Sequence, residues 1–98
     1  MIRPEEPSYV GPRVELGEVL ASPGVQAAVP RADIQKALVS HMLGQWGDVS
    51  PGDAAANERA LVQGERLLSV YHSSAGVKFY IITEADRLHT VVLLPEEY

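Results

Sequence analysis

The chain contains no cysteine, which excludes disulfide bonds and thiolate chemistry and leaves only His and carboxylate ligands for a zinc site. It also has no apolar run long enough to cross a bilayer. The first residues show no basic segment followed by an apolar one, which is the layout of a secretory signal. We therefore expect a cytoplasmic protein without a membrane partner.

The chain also has few basic residues, with 8 Lys and Arg against 13 Asp and Glu and a formal net charge of −5. Direct binding of nucleic acid requires cations that displace counterions from phosphates, so this charge disfavours it. The acidic residues are concentrated in residues 44–65 and 84–98. Such a surface serves solubility, and it also suits a basic protein partner.

Motifs for catalysis are missing as well. The three histidines, His41, His72 and His89, have no metal-binding spacing, and there is no Gly-x-Ser-x-Gly turn or phosphate-binding loop. His41 falls in an apolar helical stripe, which predicts a structural role rather than a general base. The sequence therefore predicts no enzyme, no metal site and no cofactor.

Three runs rich in β-branched and aromatic residues dominate the last third of the chain. They are Leu67–His72, Val77–Thr83 and Leu88–Leu94, and short polar links separate them. This pattern predicts a three-stranded antiparallel meander. Apolar residues occur on both faces of the last two runs, so each face needs at least partial cover. The second apolar face is covered either by the N-terminal arm or by a second copy of the chain, so both a monomer and a homodimer are open.

Helix signals precede the meander. Ser22 and Pro23 suit the start of a short helix, and the apolar spacing of Arg31–Leu43 predicts a second, longer one. A third helix is predicted from a cap at Ser50 to about Gln63. The fold class is therefore α+β, with about three helices packed on the meander.

The N-terminal region is less regular. Residues 14–20 predict either a short strand added to the edge of the meander or a short helix. Residues 1–13 carry three prolines and two glutamates, which predicts a mobile arm. The predicted organisation is thus this arm followed by a single domain over residues 14–98.

Several polar and aromatic positions suit partner binding. The link between the last two strands, residues 83–87, is ordinary turn chemistry, a charged contact site, or an acid/base set made by Glu84 and Asp86 with Arg87 and His89. The glycine-flanked Trp46 is either a plug beneath its turn or an exposed anchor. The predicted partner-binding set comprises Trp46, Asp48, Asp53, Glu58, Glu84, Asp86, Arg87, Glu96 and Glu97.

Five strings of the sequence resemble a family of small, uncharacterised bacterial proteins called plasmid-related proteins. The resemblance covers about residues 14–98 and rests on residues 44–48, 57–61, 64–71, 82–87 and 93–98. It implies a setting of plasmids, phages and integrated elements, and it implies no reaction.

Two main hypotheses follow for function. The first is a non-catalytic anti-CRISPR or antirestriction protein whose carboxylates occupy the basic nucleic-acid groove of a host defence complex. The second is a small interferase-type ribonuclease toxin, which disagrees with the acidic charge and would have to use Arg66, Lys78, Tyr80, Arg87 and His89. A transcriptional co-regulator is a further alternative.

Overall fold

A computed structural model describes residues 11–98, which form three α-helices and one four-stranded mixed sheet. The predicted α+β class is confirmed. Residues 1–10 of the predicted arm lie outside the described residues, and its last residue, Arg13, donates its backbone N–H to the Met42 carbonyl at 2.7 Å. The elements are β1 Glu18–Ala21, α1 Pro23–Ala28, α2 Arg31–Met42, α3 Pro51–Gln63, β2 Leu67–His72, β3 Lys78–Thr83, β4 His89–Leu93 and a short 3-10 helix, Pro95–Glu97.

The sheet has the strand order β1-β4-β3-β2. The pairs β2–β3 and β3–β4 are antiparallel, as predicted for the meander. The expected three-stranded antiparallel sheet nevertheless becomes a mixed sheet, because β1 joins the β4 edge and runs parallel to β4. Parallel neighbours need a long crossover, and the three helices and first two meander strands provide it here.

Strand β1 is shorter than the run 14–20 that suggested it, and the helical alternative for that run is wrong. Gly17 interrupts the run with a φ of +64°, which L side chains rarely adopt. A Cβ at Gly17 would lie 2.3 Å from the Leu88 carbonyl oxygen. Close approach to the start of β4 therefore requires glycine immediately before β1.

The helix ends follow the local sequence signals. Ser22 Oγ accepts the Val25 N–H at 3.1 Å and caps α1, while Ser50 Oγ accepts the Asp53 N–H at 3.0 Å and caps α3. Gly64 ends α3 in the left-handed conformation, with a φ of 71°. These caps confirm the predicted starts of α1 and α3 and the predicted end of α3.

The helices cover one face of the sheet and form two apolar clusters with it. In the first, α1 and α2 pack on Phe79, Ile81 and Val92. The second surrounds Trp46 and Leu67 at the base of α3. Because burial of apolar side chains is the main favourable contribution to folding, these clusters fix the helices on the sheet.

Candidate interaction surface

Trp46 lies inside the fold and not on its surface. Its side chain is 6% exposed, and its Nε1–H donates to Oε2 of Glu58 at 3.0 Å. Glu58 also forms an ion pair with Arg13 at 2.6 Å. The hydrogen bond from Arg13 and, second, that from Trp46 lower the pKa of Glu58 below its ordinary value. Trp46 therefore offers almost no surface to a partner, and Glu58 is already engaged within the chain.

Arg87 fixes the link between β3 and β4 to the end of α3. Its guanidinium donates to the carbonyl oxygens of Glu65 at 2.6 Å, Glu84 at 3.1 Å and Ala60 at 3.1 Å. A cation near the last carbonyls of a helix is favourable because those groups carry partial negative charge. Arg87 also has a φ of 63°, uncommon outside glycine. The guanidinium N–H groups of Arg87 therefore stabilise the turn. The toxin hypothesis requires the same N–H groups to be free to bind substrate.

Glu97 holds the end of the chain against the start of α1. One carboxylate oxygen accepts from Ser22 Oγ–H at 2.5 Å and from the Leu94 N–H at 2.8 Å, and the other accepts from the Gly24 N–H at 3.2 Å. The hydrogen bond from Ser22 contributes most to lowering the pKa of this carboxyl group. Glu97 therefore joins the end of the chain to the start of α1, although it is itself exposed, as is the neighbouring Glu96.

The other predicted acidic residues are less engaged. Asp48 and Asp53 are exposed, and the Asp48 carboxylate lies 3.9 Å from Nδ1 of His72. Asp86 Oδ1 accepts the Leu88 N–H at 2.9 Å, as in an Asx turn, and Glu84 is partly buried. Among residues 11–98, the pair between Arg13 and Glu58 is the single ion pair that joins a carboxylate to Lys or Arg.

The free carboxylates occupy separate parts of the molecule. Asp48 and Asp53 lie beside β2 and at the start of α3, Glu84 and Asp86 lie in the β3–β4 link, and Glu96 follows the other end of β4. Among residues 11–98, three exposed side-chain carboxylates lie outside the predicted set, namely Glu15 and Glu18, which precede or begin β1, and Glu65, which follows α3. Alternation of Glu with apolar residues around β1 was the available signal, because it directs such side chains away from the core.

A buried polar cluster has the form of a nucleophile and its base. Nδ1 of His41 lies 2.6 Å from Ser69 Oγ, and Nε2 lies 2.8 Å from Thr83 Oγ1. Thr83 Oγ1 lies 2.8 Å from Thr90 Oγ1, which donates to the Leu16 carbonyl at 2.7 Å. The hydroxyl proton of Thr90 is donated to the Leu16 carbonyl, so Thr90 can only accept from Thr83. The hydroxyl proton of Thr83 is therefore donated to Thr90, and Thr83 accepts from His41 Nε2–H. Nδ1 therefore accepts from Ser69, and the neutral tautomer is fixed.

This cluster cannot meet a substrate in the folded state. The side chains of His41, Ser69, Thr83 and Thr90 are all 0% exposed. Burial and, to a smaller extent, the nearby Arg87 cation lower the pKa of His41 to about 4. The arrangement satisfies polar groups between the two apolar clusters, so its role is structural.

Of the residues considered for a toxin, Arg66 and Tyr80 both contact the Tyr98 ring, at 5.4 and 5.9 Å from its centre, whereas Arg87 is engaged elsewhere. Arg66 donates to the Tyr98 hydroxyl, and Lys78 lies 5.9 Å from the centre of the Tyr80 ring. Arg87 is held by backbone carbonyls at the β3–β4 link, as described above. His89 begins β4 on the sheet face opposite the helices.

Among residues 11–98, no three His, Asp or Glu side chains are grouped so that they could hold a metal ion. No helix in the described part of the chain has the length and apolarity needed to cross a membrane. Comparison with known proteins finds no matching family model, no similar curated protein and no similar solved structure.

Proposed function

We propose that this chain is a non-catalytic acidic protein of a mobile genetic element that binds the basic nucleic-acid groove of a host defence complex. In this proposal it acts as an anti-CRISPR or antirestriction inhibitor. One observation carries the proposal, namely that the exposed carboxylates of Asp48, Asp53 and Glu96 have no Lys or Arg partner among residues 11–98. Surface carboxylates without a cation beside them make the local potential negative, and the net charge of −5 adds to the attraction of a basic surface.

The placement of the carboxylates limits how such binding would work. Since the carboxylates lie on separate parts of the fold, a single groove would contact one group of them. The other groups would act on it only through the long-range electrostatic field. Charged groups at the contact would set specificity, and the field of the remaining groups would accelerate association at low salt. Inhibition should therefore weaken as ionic strength rises.

The buried cluster around His41 supports the non-catalytic part of the proposal. It contains the single Ser–His hydrogen bond among residues 11–98, and both side chains are 0% exposed. A nucleophile must reach its substrate, so this pair has no catalytic use without unfolding of the core.

The test is inhibition of DNA cleavage in vitro by the whole chain. We would titrate the chain against a purified RNA-guided nuclease and against a purified restriction enzyme, each with its plasmid substrate. The expected result is inhibition of one of them that weakens with added salt. Failure to inhibit either class of enzyme would argue against the proposal.

Charge-reversal variants would then locate the contact. Asp48→Lys with Asp53→Lys, Glu84→Lys with Asp86→Lys, and Glu96→Lys each change one acidic group. Reversal of the contacting group should weaken inhibition by at least about tenfold, because like charges then face each other. Glu65→Lys makes the same charge change as Glu96→Lys at an exposed position outside the predicted set, and it is the matched control for that variant. Equal inhibition by all variants would refute an electrostatic contact.

A further inference from the structure

The two edges of the sheet differ in how their backbone groups are satisfied. At the β2 edge, the Leu68 N–H donates to Oδ1 of Asn57 at 3.2 Å, and Nδ2 of Asn57 donates back to the Leu68 carbonyl at 2.8 Å. Val70 donates its N–H to the Trp46 carbonyl at 3.0 Å and accepts the Asp48 N–H at 2.7 Å. The segment 46–48 and the Asn57 side chain thus replace a neighbouring strand, so the β2 edge is closed.

The β1 edge is open. The N–H groups of Glu18 and Ser22 both donate to carbonyls on the β4 side at 2.9 Å. Because inward and outward groups alternate along a parallel strand, the backbone groups of Val19 and Ala21 point away from the sheet. The Ala21 carbonyl accepts from Nε2 of Gln26 at 2.8 Å. Within residues 11–98, the Val19 N–H and C=O and the Ala21 N–H have no hydrogen-bond partner.

An apolar groove lies directly beside this open edge. It has a volume of about 600 Å³ and runs between β1 and the helices α1 and α2. Val19, which is 40% exposed, forms part of its wall together with Ala21, Val29, Ile34 and Leu38. A strand that pairs with β1 would direct every second side chain towards this groove.

The charges around the edge indicate which kind of strand fits. Glu15 and Glu18 are exposed at its N-terminal end, on the side where Asp86 closes the β3–β4 turn. Glu96 is exposed beyond its C-terminal end. Arg31 is the one cation that lines the groove. None of the groove-lining residues is Asp or Glu, so the carboxylates lie at the two ends of β1 and not in the groove. Their position disfavours a second copy of this acidic chain and favours a segment that carries Lys or Arg beside the strand ends.

We propose that the β1 edge binds an extended basic segment of a protein partner, which joins the sheet as a fifth strand. The Val19 backbone and the Ala21 N–H pair with the segment's main chain, and alternate apolar side chains of the segment enter the groove. Lys or Arg side chains of the segment lie on the opposite sheet face, which carries Glu18. The inference rests on the proposed function in that the segment belongs to the basic partner.

A synthetic peptide of alternating lysine and valine, capped at both ends, is the probe. Titration into the isotope-labelled whole chain should shift the NMR signals of the Val19 and Ala21 amides and slow their hydrogen exchange. We expect a Kd of about 1 mM or tighter, as for a short strand with one apolar pocket. An alternating glutamate and valine peptide should not bind. Absence of shifts at these amides with the lysine peptide would overturn the proposal.

Backbone and charge variants separate strand pairing from general attraction. Val19→Pro removes an outward N–H and leaves the bonds to β4 intact, so it should weaken peptide binding at least about tenfold. Val19→Lys keeps the backbone, replaces an apolar side chain of the groove wall by a cation, and should also weaken binding. Glu18→Lys should weaken binding more than Asp53→Lys, which makes the same charge change at an exposed site remote from β1.

Two results would contradict the inference without touching the inhibition assay. Equal losses from Glu18→Lys and Asp53→Lys, with no effect of the Val19 variants, would show charge attraction without strand pairing. Shifts of the Val19 amide that depend on protein concentration alone would assign the edge to a second copy. Since the peptide assay contains no defence complex, its failure and failure of the proposed function are distinguishable.

Discussion

Protonation of His41 should destabilise the fold as the pH decreases. The imidazole is 0% exposed, and its pKa falls from 6.5 to about 4, chiefly because burial penalises the charged form. In the unfolded chain the group regains its ordinary pKa, so the unfolded state binds the proton at higher pH than the folded state. The contribution of His41 to stability is therefore constant above about pH 6.5 and is lost as the pH falls towards 4.

The magnitude follows from the two pKa values. Their difference corresponds to about 3 kcal/mol once the pH is below both. Between about pH 7.5 and pH 5 the loss is about 2 kcal/mol, which is a large part of the stability of a small domain. This window lies above the ordinary pKa values of Asp33, at 3.8, and Glu58, at 4.5, so titration of such carboxyl groups contributes less there.

Urea unfolding at a series of pH values measures the effect, with the midpoint and slope fitted at each pH. His41→Gln should lower stability at neutral pH and remove most of the pH dependence in this window. His89→Gln, which removes an imidazole from an exposed strand position, is the matched control and should retain the dependence. A flat profile for the natural sequence, or an equal slope in His41→Gln, would refute the assigned environment of His41.

Three further changes test other contacts. Arg87→Ala should lower the free energy of unfolding by about 2 kcal/mol, since it removes a charged donor from three carbonyls, and urea titration measures it. Gly64→Ala should lower the free energy of unfolding by about 1 kcal/mol, because the residue has a positive φ and a Cβ there meets no other atom. Gly47→Ala should lower it clearly more, because a Cβ there would lie 2.0 Å from a β2 carbonyl oxygen. Equal melting temperatures of the two variants would contradict this difference. Asn57→Ala should cost about 1 to 3 kcal/mol and speed hydrogen exchange at the Leu68 amide, and unchanged exchange there would count against the closed β2 edge.

Local signals in the sequence were sufficient for most of the fold. Ser22, Ser50 and Gly64 mark helix ends through bonds made within a few residues, and such chemistry is readable without the tertiary structure. Strands β2 and β3 follow in the same way from their composition and the short link between them. These elements were predicted nearly to the residue because their causes are local.

The parallel pairing of β1 and the contacts of the charged residues depend on residues that are distant in sequence. Nothing near Glu18–Ala21 indicates that this strand pairs with β4, since the pairing depends on how three helices return the chain. Arg87 was predicted to contact a partner or its own turn, and the Ala60 and Glu65 carbonyls that it binds are distant in sequence. The composition was sufficient to predict an acidic surface. It could not show which carboxylates are bound within the chain, because their partners, such as Arg13 and Ser22, are distant in sequence.

The pairing of β1 with β4 has a consequence for the order of folding. The first strand of the sheet binds the last one, so it has no partner until nearly the whole chain is available. Closing such a long loop costs conformational entropy before the contact is made, which slows this step relative to formation of the β2–β3 hairpin. Strand β1 should therefore join late during folding and detach early during unfolding, so that the open edge is also the least persistent part of the sheet.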